Sequence, residues 1–127
     1  MRKKVLLDCD GLLADFAGEA LRRINAKLGT SFVLEHVTQW DVVEALGIDR
    51  KLFWETVKAP GFCRELPVLP CAKEAVAQLK EIADVVVVTS PMHSKTWHWE
   101  RLEWLHEFGI PHHDVIFAQD KTLVHGD

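Results

Sequence analysis

Apolar and polar positions follow two rhythms along this chain. Short apolar runs occur at Val5-Leu6-Leu7, at Val85-Val86-Val87-Val88 and at Val115-Ile116-Phe117. Their length and β-branched content predict buried strands over residues 3–9, 84–89 and 114–118. Between them the apolar positions take helical spacing. Phe16, Ala20, Leu21, Ile24 and Leu28 form one stripe, which predicts a helix over 14–28 stopped at Gly29. Residues 33–58 hold two more helices, parted around Gly47-Ile48-Asp49, with Asp49 capping the second. Residues 73–82 and 94–108 also read as helices. The last is capped by Ser94 and ended by Gly109.

Strands that alternate with helices imply a parallel sheet and an α/β fold. The helical stretch over 17–68 is too long for a simple crossover. It is read as a small helical cap, inserted after the first strand and lying over the carboxyl ends of the sheet. The core then comprises residues 1–16 and 69–127.

The first strand ends in the candidate chemistry. Asp8 and Asp10 stand one residue apart and Gly11 follows. In an extended chain both carboxylates point the same way. They emerge where open α/β sheets bind ligands. Two like charges so close repel unless a cation lies between them, and oxygen-only ligation suits Mg²⁺. The plain alternative is a solvated turn. Thr89 and Ser90 end the second strand with hydroxyl and amide donors suited to a phosphate oxygen; alone, they also read as a Ser-Pro turn. Lys121 offers a point charge for a phosphate.

The order of these elements resembles the haloacid dehalogenase (HAD) superfamily of phosphatases, and within it the 5'(3')-deoxyribonucleotidases. The segments that carry the resemblance are Asp8 to Phe16 (DCDGLLADF), Ala59 to Leu69 (APGFCRELPVL), Thr89 to Pro91 (TSP) and Asp120 to Asp127 (DKTLVHGD). It implies a three-layer, HAD-like (Rossmann-like) fold and a Mg²⁺-dependent phosphomonoester hydrolase. Asp8 would be the nucleophile and a metal ligand. Asp10 would be the general acid-base, giving its main-chain carbonyl to the metal. Thr89, Ser90 and Lys121 would bind phosphate. Phe16, Trp40 and Phe62 would hold the base of a deoxynucleoside monophosphate, with His93 near the nucleotide. In relatives, a segment like Val124 to Asp127 leads into a strand that ends in an acidic pair. That pair is absent here, which predicts weaker Mg²⁺ binding and a sheet edge open to pairing, hence a candidate homodimer. Asp114 and Asp120 are other acids that could compensate in principle, but nothing in their spacing points to it, and the metal role is not transferred to Asp127. Two alternatives follow: a nucleotide- or phosphate-binding protein with impaired turnover, and a HAD phosphatase for a non-nucleotide metabolite.

Composition narrows the picture further. In 127 residues, 48% are apolar, enough for the core of one domain. A net charge of −4 argues against a nucleic-acid polymer as partner. Three cysteines without a C-x-x-C pair favour free thiols and the cytoplasm. Cys9 is expected to point into the core. Met1-Arg2-Lys3-Lys4 precedes an apolar run that Asp8 cuts too short for a signal peptide, and no run reaches membrane-spanning length. Seven histidines invite a zinc site, yet His112-His113 and His93 with His98 lack ligand spacing. Trp97, Trp99 and Trp104 read as core or interface packing.

Overall fold

The computed structural model describes residues 2–126, so Met1 and Asp127 lie outside the described residues. Three parallel strands form the sheet: β1 (Lys3–Leu7), β2 (Ala83–Thr89) and β3 (Asp114–Phe117), in the order β1-β2-β3. Lys3 pairs with Ala83 and Leu7 with Val87, while Thr89 pairs with Phe117. The central strand is buried almost throughout, which its run of valines permits because both faces are covered. Gly126 lies against the outer edge of β1, where a side chain would meet Leu6 and the Lys4 carbonyl.

β1 stops at Leu7, two residues earlier than its apolar pattern predicts. The reason is a tight loop around one carbonyl. The amides of Leu12, Leu13 and Ala14 all donate to the Cys9 oxygen at 2.8–3.2 Å, and Gly11 turns the chain at φ +81°. Asp8 and Asp10 therefore belong to this loop rather than to an extended strand. The loop also delays α1 (Phe16–Leu28), which Asp15 caps by accepting from the Gly18 amide. Ala20, Leu21 and Ile24 are buried, whereas Leu28 is exposed, so the apolar stripe is narrower than predicted.

α2 (Val42–Leu46) and α3 (Arg50–Val57) flank Gly47, and Asp49 caps α3 through the Lys51 amide. α4 (Ala72–Ile82) leads into β2. α5 (Trp97–Glu107) starts three residues after the expected Ser94. The Ser94 hydroxyl accepts from the Thr96 amide only two residues on, a turn that ends before a helix can begin.

The helices α1 to α3 leave and rejoin the sheet at one place. Ala14 bridges Val68 in antiparallel fashion, Asp15 N donates to Pro67 O at 2.8 Å, and Leu69 N donates to Leu13 O at 2.7 Å. One cluster of buried side chains runs through both parts, from Cys9, Val85 and Val87 to Ile24, Phe53 and Val57. Cys9 and Cys63 are fully buried, Cys71 is exposed, and all three are free thiols. Trp97 and Trp104 are buried, but Trp99 faces out. Among the described residues no helix is long and apolar enough to cross a membrane.

Candidate active site

The loop after β1, the end of β2 and the turn after β3 meet at the carboxyl edge of the sheet. Asp8 Oδ1 accepts from its neighbour's amide, Cys9 N, at 2.7 Å and from Lys121 Nζ at 2.7 Å. Among the described residues Asp8 Oδ2 has no partner. Lys121 is presented by a short turn, Lys121–Leu123, which Asp120 caps through the Thr122 amide and hydroxyl. These bonds hold the Asp120 carboxyl below its ordinary range and use it structurally. Asp114 opens β3 at the opposite end of the sheet, with its carboxylate on the Val115 amide. Neither acid joins Asp8.

Thr89 ends β2 with its hydroxyl buried and without a partner among the described residues. A buried, unpaired hydroxyl is costly, so it suits a group that arrives with the substrate. The Ser90 hydroxyl donates to the Ala118 carbonyl at 2.9 Å and ties β2 to the segment after β3.

Asp10 pairs with Arg101, not with Lys121. Its Oδ1 accepts from Arg101 Nη2 at 2.5 Å, and Arg101 is wholly buried. The guanidinium lies over both Trp97 and Trp104, at 5.6 and 5.5 Å from the ring centres. Burial raises the Asp10 carboxyl above its ordinary value, and the Arg101 charge opposes that rise. Burial likewise pushes the Cys9 thiol up to about 12, so it stays protonated and is no nucleophile at neutral pH. Sequence reasoning passed over Arg101. Its signal was a basic residue at i+4 from Trp97 and i−3 from Trp104, inside an apolar helical stripe.

The aromatic candidates separate. Phe16 and Trp40 line one cavity of about 470 Å³ with Val42, Phe53, Trp54 and Met92. Trp40 is fully exposed. Phe62 has no exposed surface: it stacks on Trp97 at 6.2 Å, meets Phe16 edge-on at 5.4 Å and carries the Arg23 guanidinium over its ring. It backs Phe16 and presents no face to a base. His93 lines a different cavity, of about 530 Å³, with Ser94, Lys95, His98, Phe117 and Gln119.

No three His, Cys, Asp or Glu side chains converge among the described residues to hold a metal. Mg²⁺ does not require such a cage, because it keeps water and phosphate oxygens in its shell. The Asp8 carboxylate would supply one oxygen to such a shell.

A family model described as 5' nucleotidase, deoxy (pyrimidine), cytosolic type C matches residues 2–127. The chain belongs to this family. A Staphylococcus aureus (strain MSSA476) relative, provisionally named 5'(3')-deoxyribonucleotidase, is 32% identical over 129 residues, covering 99% of this chain and 71% of that protein. The human mitochondrial 5'(3')-deoxyribonucleotidase is 32% identical over 135 residues, covering 98% of this chain and 59% of that protein. Among solved structures, the Bacillus subtilis HAD-hydrolase YfnB, bound to magnesium, superposes with a TM-score of 0.59 at 16% identity, covering 95% of this chain and 67% of that one. A hydrolase from Streptococcus pneumoniae TIGR4 gives 0.59 at 13% identity, covering 91% and 66%. The structural likeness establishes the HAD fold, and the family membership makes this nucleotidase-type chain a HAD phosphatase.

Proposed function

We propose that this chain is a Mg²⁺-dependent phosphatase that hydrolyses deoxynucleoside monophosphates through an aspartyl-phosphate. The observation that carries the reading is the pairing of Asp8 with Lys121 beside the unpartnered Thr89 hydroxyl. One Asp8 oxygen is held by two donors, which leaves Oδ2 for attack on phosphorus. As that bond forms, the phosphoester P–O bond breaks and Asp10 gives its proton to the leaving oxygen. Water then attacks the acyl-phosphate, Asp10 takes back a proton, and Asp8 is regenerated with release of phosphate. Lys121 and Thr89 bind the phosphoryl oxygens throughout. Mg²⁺, ligated by the Asp8 carboxylate and the Asp10 main-chain carbonyl, would offset the repulsion between nucleophile and phosphate. Phe16 and Trp40 frame the base pocket, with Phe62 behind Phe16. Three free thiols suit a cytoplasmic setting.

The test is phosphate release from a panel of deoxynucleoside monophosphates and simple phosphate esters, with Mg²⁺ and with chelator. Metal-dependent release favouring deoxynucleotides supports the proposal. Tight nucleotide binding without release would favour a binding protein, and release from sugar phosphates alone would favour a metabolite phosphatase.

A further inference from the structure

Arg101 is an expensive residue where it stands. Its side chain is wholly excluded from water, and Nε and Nη1 have no partner among the described residues. A buried charge held by one short bond is poor value for stability, and apolar replacements of such pairs are often neutral or better. Something other than folding accounts for it.

The surroundings fix the guanidinium from several sides. Trp97 and Trp104 offer it their ring faces. Trp104 is itself pinned, donating Nε1 to the Leu66 carbonyl at 2.7 Å. Trp97 is wedged by Phe62 and Phe16. The result is a rigid series from the Leu66 carbonyl through Trp104 and Arg101 to Asp10 Oδ1. Asp10 keeps a quarter of its side chain exposed, and Oδ2 has no partner among the described residues. One carboxylate oxygen is clamped and the other is presented.

We propose that Arg101 is a positioning residue: it clamps Asp10 through Oδ1 so that the opposite oxygen carries the proton to and from the reacting groups. This rests on the hydrolase reading above. A flexible Asp10 would spend most of its time misaligned, and small misplacements of a proton-transfer group are costly in rate. Arg suits the task because its planar fork fits a carboxylate and lies flat between two rings. The clamp acts on the proton-transfer residue, so it should affect turnover and leave substrate affinity alone.

The test compares Arg101→Met, Arg101→Lys, Asp10→Ala and the double variant Arg101→Met/Asp10→Ala. Methionine keeps most of the volume between the tryptophans. With a deoxynucleotide and Mg²⁺, Arg101→Met is expected to lower kcat at least tenfold with KM within twofold, and Arg101→Lys to fall between it and wild type. The double variant should be no slower than Asp10→Ala alone, because Arg101 works through Asp10. Wild-type kcat in Arg101→Met, or a double variant clearly slower than Asp10→Ala, overturns the proposal. Should Arg101→Met fail to fold, Arg101→Lys decides in the same terms: lower kcat at unchanged KM supports the clamp, and unchanged kcat overturns it. Urea denaturation separates this inference from the hydrolase reading. If the wild-type chain releases no phosphate, the hydrolase reading fails, yet the clamp is still read. An Arg101 substitution that shifts the urea midpoint by different amounts with Asp10 present and with Asp10→Ala supports it; equal shifts in both backgrounds overturn it.

Discussion

Lys121 Nζ meets Asp8 Oδ1 at 2.7 Å although the two residues stand 113 positions apart. The contact joins the loop after the first strand to the turn after the last. It divides the Asp8 carboxylate into a held oxygen and a free one. The chemistry proposed for this chain begins at that free oxygen.

Replacing Asp8 with Asn should reduce Mg²⁺-dependent phosphate release to background. An amide is no nucleophile here and ligates Mg²⁺ poorly. The circular dichroism spectrum and urea midpoint should stay close to wild type, because Asp8 is half exposed. Turnover near the wild-type rate would end the aspartyl-phosphate mechanism.

Lys121→Met should lower kcat by about 100-fold or more, as expected for losing a preorganised donor to a developing anion. Steady-state kinetics at saturating metal would show it. A loss confined to KM would make Lys121 a ground-state phosphate anchor only.

Phe16→Ala should weaken kcat/KM for a deoxynucleotide by about 1–3 kcal/mol, by analogy with base–aromatic stacking. A small aryl phosphate, with no base to reach the cavity that Phe16 and Trp40 line, should lose much less. Equal losses on the two substrates would assign Phe16 to packing against Phe62 and Trp97 alone.

Trp104→Phe should cost stability even though the ring is kept. The Leu66 carbonyl would lose the indole donor at 2.7 Å in a fully buried place. An unsatisfied buried carbonyl costs about 1–3 kcal/mol. The urea midpoint should fall with an unchanged slope.

The thiols give a prediction with pH. Burial pushes Cys9 and Cys63 from 9.0 up to about 12. The folded chain then keeps protons that the unfolded chain releases. Their contribution to stability is complete below about pH 9 and is lost as pH rises toward about 12, by about 1.36 kcal/mol per thiol and pH unit inside that window. Unfolding free energy measured at neutral and alkaline pH should decline less steeply in Cys9→Ala than in wild type. A thiol-directed reagent at mildly alkaline pH should modify only Cys71 in the native chain. Rapid native labelling of Cys9 would contradict its burial.

Much of the fold was legible because its strands are short apolar runs between helical stripes. Asp49 and Gly29 announced helix ends through chemistry that acts within one turn. Strand and helix starts were harder where a loop competes. Nothing in the sequence reveals that the Cys9 carbonyl collects three amides, so β1 was expected to run on. Ser94 is a good cap by type, but its hydroxyl bonds two residues ahead. In the site, Asp8, Asp10, Thr89, Ser90 and Lys121 were named from motifs, and the structure brings Asp8 to Lys121 and places Thr89 and Ser90 at the end of the neighbouring strand. Asp10 goes instead to Arg101. That partner was hidden because an arginine on a helix normally marks a solvated face, and only tertiary packing turns this one inward. Phe62 and Trp40 differ in burial for the same reason: one ring matches core and surface equally well on paper.

The pairing of Lys3 with Ala83 has a consequence for the order in which the chain can become a protein. β1 precedes β2 and β3 in the chain and is apolar at Val5, Leu6 and Leu7, yet its ladder partner emerges roughly 80 residues later. During synthesis α1 and α3, close in sequence and packed together, can form an early unit, while β1 and the loop that carries Asp8 wait. The nascent chain therefore exposes an unpaired strand until β2 has left the ribosome, and the contact between Asp8 and Lys121 forms only after β3 has followed.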